Sequence, residues 1–296
     1  GTHIEPSQLL FETDVKKLDV STGHWNELPT LIDNGTGDIP FDIFAATFYL
    51  ISRYEEYLPS EKDKHGRFQA KNSIAFKNDF ISRPIINEWC EELINVIGLK
   101  PAQLKNYESI ITIDVDNSYS YKGKGFKRNS LGFCRDLIQL NFKGIKARLT
   151  SLNRLEKDPS NSFDYILNSL QGLKKNIFFI LNGKYNAYDK NLPLSSSLQQ
   201  NLITKLDDKS EIGIHPSYQS NLDEHSLKQE INSLEKFIKK PIINSRQHFL
   251  ILEFPKTYHN LIEENILNDY TLGYAEHIGF RASTCTPFYW FDLEKN

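Results

Sequence analysis

The run Ile110-Ile-Thr-Ile-Asp-Val-Asp116 marks a change of pattern in the chain. Its β-branched apolar residues predict a buried strand, and its acidic end predicts where that strand stops. Downstream, strand and helix signals alternate. Phe163, Ile166, Leu167 and Leu170 predict a helix, and Ile177-Phe-Phe-Ile-Leu181 predicts a second strand ending at Asn182-Gly183. A polar helix over roughly 195–206 precedes a short strand, Glu211-Ile-Gly-Ile214. Leu227, Ile231, Leu234 and Ile238 lie at helical spacing. A strand is expected from Ile242 to Leu252, a helix from Thr257 to Glu264, and two last strands at Tyr270–Tyr274 and Gly279–Ala282. This alternation predicts an α/β fold: a mostly parallel sheet with helices outside, open or closed as a barrel. About six strands are expected, fewer than the eight of a full (β/α) barrel.

Upstream, residues 1–105 are irregular and mixed. Pro29, Asn34, Gly35, Gly37 and Pro40 punctuate them with turns. A helix is expected from about Asp42, with Phe44, Phe48 and Ile51 on one face and Pro59 as its stop. Pro84 opens another, carrying Ile86, Trp89, Cys90, Leu93 and Ile97, and Gly98 closes it. The chain is therefore read as a smaller N-terminal domain, 1–105, and an α/β domain, 106–296.

Composition narrows the function classes. Of 296 residues, 39% are hydrophobic and 25% charged, ordinary for a chain that buries a core. Lys and Arg number 35 against 38 Asp and Glu, so no general charge attraction draws the chain to nucleic acid or anionic membrane. No stretch approaches the roughly 20 apolar residues of a membrane span. Cys90, Cys134 and Cys285 are far apart, which excludes a disulfide scaffold and a Cys-rich zinc module. Unpaired cysteines permit a cytoplasmic protein, the location expected here. With no methionine at all, the chain is expected not to be a full translation product.

Sites in parallel α/β folds form at the carboxyl ends of strands. Asp114 and Asp116 fall at one such end, His215 at another, with Pro216, Ser217 and Tyr218 after it. Arg246 and His248 lie inside the expected strand 242–252, and Arg281 at a late strand. Asp114 and Asp116 point the same way while the chain is extended. Carboxylates so close repel unless a cation or proton lies between them. A divalent metal resolves that, with one Asp as ligand and the other as base; an Asx turn is the plainer reading. His215 suits a zinc ligand or a hydrogen-bonded structural ring. Arg246 suits a carboxylate clamp on the catalytic Asp, and His248 a third ligand or a proton donor. An ion pair and a buried ring are the alternative. Lys122, Lys124, Lys127 and Arg128, with Gly123 and Gly125, form a basic loop that could meet a substrate phosphate. It lacks the Walker pattern, and a solvated loop is the reading the sequence favours.

These residues resemble the motifs of the NodB-homology polysaccharide deacetylases, carbohydrate esterase family 4, over roughly 106–296. Thr112-Ile-Asp-Val-Asp116 is similar to the Asp-rich first motif, Ile214-His-Pro-Ser217 to the start of H-[ST]-x-x-H, and Ser245-Arg-Gln-His248 to the Arg-containing third motif. More closely, the chain resembles an uncharacterised bacterial branch with an N-terminal domain of unknown function, which the runs Phe41–Glu56 and Glu61–Phe68 fit. The resemblance implies a distorted or incomplete (β/α) barrel and hydrolysis of N- or O-acetyl groups on a glycan. It implies a divalent metal, zinc first, on Asp116 and His215, with Asp114 as base and Arg246 fixing it. The second motif histidine is absent, since Gln219 stands there, and His248 is expected to replace it. The two Asp roles are exchangeable. Tyr218 and Arg281 are expected to bind substrate, and a last-motif histidine is expected beyond Asn296. Two rival readings are a glycan-binding or assembly protein with a decayed site, and an Asp-x-Asp glycosyltransferase using manganese.

Overall fold

The computed structural model describes residues 1–100, 108–173 and 175–295. They form two compact units. The first comprises the described residues of Gly1–Asn106, Phe249–His259 and Thr271–Asn296; the second those of Tyr107–His248 and Asn260–Tyr270. The expected cut, with all of 106–296 in one domain, differs from this partition, because two later segments fold with the first unit. Tyr274 and Leu293 are buried in its core.

In the first unit, β1 (Thr22–Trp25) and β2 (Leu28–Leu31) form an antiparallel pair. α1 (Ile43–Ile51) follows, capped by the Asp42 carboxylate, which accepts from the Phe44 and Ala45 amides. Its buried face is Ile43, Ala46, Tyr49 and Leu50, whereas Phe44 is exposed, a rotation from the expected face. Arg53, with φ of 57°, breaks the helix before the short α2 (Tyr54–Tyr57), well ahead of Pro59. After α3 (Ile74–Lys77), α4 (Ile85–Val96) brings Trp89 against Phe41, ring centres 5.0 Å apart.

The second unit is a five-stranded parallel sheet in sequential order: β3 (Ile110–Val115), β4 (Lys175–Leu181), β5 (Glu211–His215), β6 (Asn244–Ser245) and β7 (Asn268–Asp269). Sequential order with right-handed crossovers puts the helices on one face and curls the sheet into a half barrel. The crossovers carry α5 (Gly125–Ile138), α6 (Phe142–Asn153), α7 (Phe163–Ser169), α8 (Ser197–Asp207) and α9 (Glu224–Ile238), with α10 (Lys256–Glu263) before β7. β4 lies between two neighbours, and Ile177 to Leu181 are fully buried. β3 is an edge strand, so three of its six residues are only half-buried and two are exposed.

Three strand expectations are corrected. The strand over 242–252 is two residues long: the chain enters a 3-10 turn at His248–Leu250, with Phe249 and Leu250 at φ of 62° and 53°. Tyr270–Tyr274 and Gly279–Ala282 are not strands; the last one is β7, just upstream. The basic loop is shorter than expected, because α5 starts at Gly125. No helix among the described residues is long and apolar enough to cross a membrane.

Candidate metal centre

Strand register assembles the site. Val115, Ile180, Ile214 and Ser245 align across β3 to β6. The next position on each strand is therefore Asp116, Leu181, His215 and Arg246, at the carboxyl ends. Two rows earlier, Asp114 aligns with Phe179 and Gly213. Residues two apart on a strand face the same way, so Thr112, Asp114, Phe179, Gly213 and His215 share one face.

Asp116, His215 and His248 come together: one donor atom from each lies within 4.8 Å of the others. His215 Nε2 is 3.1 Å and His248 Nε2 3.9 Å from the Asp116 carboxylate. The imidazoles are buried; the carboxylate is 53% exposed and open to solvent. His248 leaves the strand yet reaches the site, because its amide donates to the Pro216 carbonyl at 3.1 Å.

The far side of each ring is fixed. His215 Nδ1 lies 2.5 Å from the main-chain oxygen of Arg246, and His248 Nδ1 lies 2.9 Å from Asp189 Oδ1. Both partners only accept, so each Nδ1 carries a proton, and in its neutral tautomer each ring turns the Nε2 lone pair toward Asp116. Lone pairs facing a carboxylate repel unless a proton or a cation sits among them. The donor set, two imidazole nitrogens and a carboxylate backed by acceptors, suits a divalent ion such as zinc. With a proton on His215 Nε2 in place of an ion, the hydrogen bond it donates, and then its charge, hold the Asp116 carboxyl below the usual carboxylate range.

Asp189 is fully buried. Burial pushes its carboxyl up, but hydrogen bonds from His248, the Tyr218 amide and Asn186 outweigh that and hold it low. Glu230 supports the other side. Its carboxyl accepts from the Ser217 amide at 3.0 Å and hydroxyl at 2.5 Å, fixing the turn after His215. Burial pushes Glu230 up to about 7 against those bonds.

Arg246 makes the second cluster. Its Nη1 donates to Asp114 at 3.1 Å, Nη2 to Thr112 Oγ1 at 2.8 Å and Nε to the Tyr270 carbonyl at 3.1 Å. The guanidinium rests over the Phe179 ring, 5.0 Å from its centre. The Phe179 ring in turn covers Gly213, where a Cβ would come within 2.6 Å of it.

The two remaining expected residues are Tyr218 and Arg281. Tyr218 follows the His215 turn and stacks on Tyr188, ring centres 4.1 Å apart. Arg281 belongs to the first unit and is corrected as a substrate-binding residue. It is 2% exposed, its Nε and Nη2 bind Glu56, and its Nη1 donates to the Gly273 carbonyl. Arg53 also pairs with Glu56, completing a buried ion network. Asp189 and Glu230 escaped the sequence reading. The rim rule points to the loop after β4, but nothing in the sequence singles out its eighth residue; Glu230 lies among the polar residues of α9.

Comparison with known proteins gives two similarities. Residues 1–100 match a family of unknown function, DUF7033. A crystal structure from Mycobacterium smegmatis, named only provisionally as a polysaccharide deacetylase, is similar at 16% identity and a TM-score of 0.35. The similarity covers 58% of this chain, and the chain spans about half, 54%, of that structure's length. No curated protein matches the chain.

Proposed function

We propose that the protein is a metal-dependent carbohydrate deacetylase, hydrolysing an N- or O-acetyl group on a glycan. The observation that carries this reading is the Asp116–His215–His248 cluster, with both imidazoles locked by acceptors behind them. The motif resemblance supplies the reaction class, and His248 stands in for the absent second motif histidine.

Asp116, His215 and His248 would hold the ion, zinc by donor preference. When bound, it supplies Lewis-acid polarisation of the acetyl carbonyl and of water. The other work belongs to the chain's own groups. Arg246 holds the Asp114 carboxylate in one orientation through the 3.1 Å bond. Asp114 accepts a proton from water as the water oxygen bonds to the acetyl carbon. It returns that proton to the sugar nitrogen or oxygen as the bond to the acetyl group breaks. Asp189 and the Arg246 carbonyl keep both imidazoles in the ligating tautomer throughout.

Acetate release from N-acetylated and O-acetylated oligosaccharides tests the proposal. The zinc-loaded chain should release acetate and the chelator-treated chain should not. Asp114→Asn should lose at least about a hundredfold in kcat, the low end for removing a general base. Unchanged activity in Asp114→Asn, or no acetate from either linkage class, would overturn it.

A further inference from the structure

The connections after β3 and β4 carry charges that this chemistry does not use. Lys124 ends the first connection and Arg128 lies one turn into α5. Lys190 follows Asp189 in the second. The Arg128 guanidinium carbon lies 3.7 Å from the centre of the Tyr185 ring, and Lys190 Nζ lies 5.1 Å from the same centre. Arg128 also donates to the Lys190 carbonyl at 3.4 Å, and Lys190 Nζ to the Asn186 carbonyl at 3.0 Å. The two connections pack closely, since a Cβ on Gly123 would come within 2.9 Å of Leu192. Among the described residues, no carboxylate forms an ion pair with Lys124, Arg128 or Lys190.

A solvated basic loop would spread its charges apart. Here two cations share one ring, and a third is half-buried beside them. Burial first, and then the charge of Arg128, push the Lys124 ammonium down to about 8 against the opposing charge of Asp158. An anion among these groups relieves their mutual repulsion.

The cluster adjoins the candidate metal centre through three consecutive residues. Tyr188 stacks on Tyr218, Asp189 holds His248, and Lys190 reaches the Tyr185 ring. Consecutive Cα atoms are only about 3.8 Å apart. Lys190 is thus the chain neighbour of the residue that holds His248.

We propose that the substrate of this site is a phosphate-bearing acetylated sugar, whose phosphate is held by Lys124, Arg128 and Lys190. The acetyl part rests on the deacetylase reading; the anion site does not. A phosphate offers three terminal oxygens and up to two charges to three separate cations, where a carboxylate offers two oxygens and one charge. The Arg128 fork suits two of those oxygens.

The test is calorimetric titration of the chelator-treated full chain, so that no ion competes for the phosphate. The probes are N-acetylglucosamine 1-phosphate, inorganic phosphate and N-acetylglucosamine. The sugar phosphate should bind at least tenfold tighter than the neutral sugar, with inorganic phosphate competing, and the preference should shrink as salt rises. Lys190→Gln with Arg128→Gln should abolish the preference, and Lys190→Arg should keep it. Both replaced side chains lie at the surface, and circular dichroism checks their folds. The proposal is overturned if neither phosphate compound binds, or if the preference survives in the double variant. If the preference holds while no acetylated sugar releases acetate, the deacetylase reading fails and the anion site stands. If acetate release persists without any preference, the anion site fails alone.

Discussion

Arg246 serves two groups with different parts of itself. Its side chain orients Asp114, and its main-chain oxygen fixes His215. Arg246→Lys should therefore separate the functions. Lysine keeps the carbonyl but loses the planar fork that spans Asp114, Thr112 and the Tyr270 carbonyl. Bound zinc should stay near the wild-type level while kcat falls on the order of a hundredfold. Steady-state kinetics with metal analysis checks this, and a parallel loss of metal would contradict it. Glu230 gives a pH prediction. Its folded carboxyl keeps the proton up to about 7, whereas the unfolded chain releases it near 4.5. Between those values the folded state binds more protons, so stability falls as pH rises. The contribution is complete below the lower value and gone above the upper one, on the order of 3 kcal/mol. Glu230→Gln, always neutral, should lack this decline when urea unfolding is compared at pH 5 and pH 8. Parallel profiles would speak against it. Asp114, Asp116, His215, Arg246 and His248 were legible because each lies at or just beyond an expected strand. Arg281 misled because sequence cannot tell a rim arginine from one paired with Glu56 far upstream.

At the scale of elements, space between strands matters as much as pattern. Gly213 on β5 aligns with Phe179, and a Cβ there would also come within 2.9 Å of the Asn244 main-chain oxygen. Gly213→Ala should displace the Phe179 ring, destabilise the fold by about 1–3 kcal/mol, and disturb the seat of Arg246. A shift of the urea midpoint measures the first effect, and an unchanged midpoint would refute the packing argument. β4 and α7 to α9 were readable because their apolar residues follow one period. α5 and α6 were not, since Phe126, Leu131, Ile138 and Phe142 face solvent and blur any single stripe. The apolar run 242–252 reads as strand, but its backbone turns left-handed at Phe249 and Leu250. Such a turn is set by tertiary packing, which a local pattern does not record.

At the scale of the molecule, the first unit draws on three separate segments. Its buried Glu56–Arg281 pair joins residues 225 apart in sequence. No composition shift marks that closure, so the linear division at 105 was the natural reading. A folded state that binds zinc is stabilised by mass action, about 2.7 kcal/mol at a hundredfold excess over Kd. Zinc should therefore raise the melting temperature, and Asp189→Asn, which loosens His248, should weaken zinc binding by about 10–100-fold. The most direct measurement is the zinc content of the purified chain after loading with excess zinc and dialysis. Wild type should retain about one ion per chain, and His215→Ala under about a tenth of that. A wild-type chain that retains no zinc, or a His215→Ala chain that retains as much as wild type, would contradict the account.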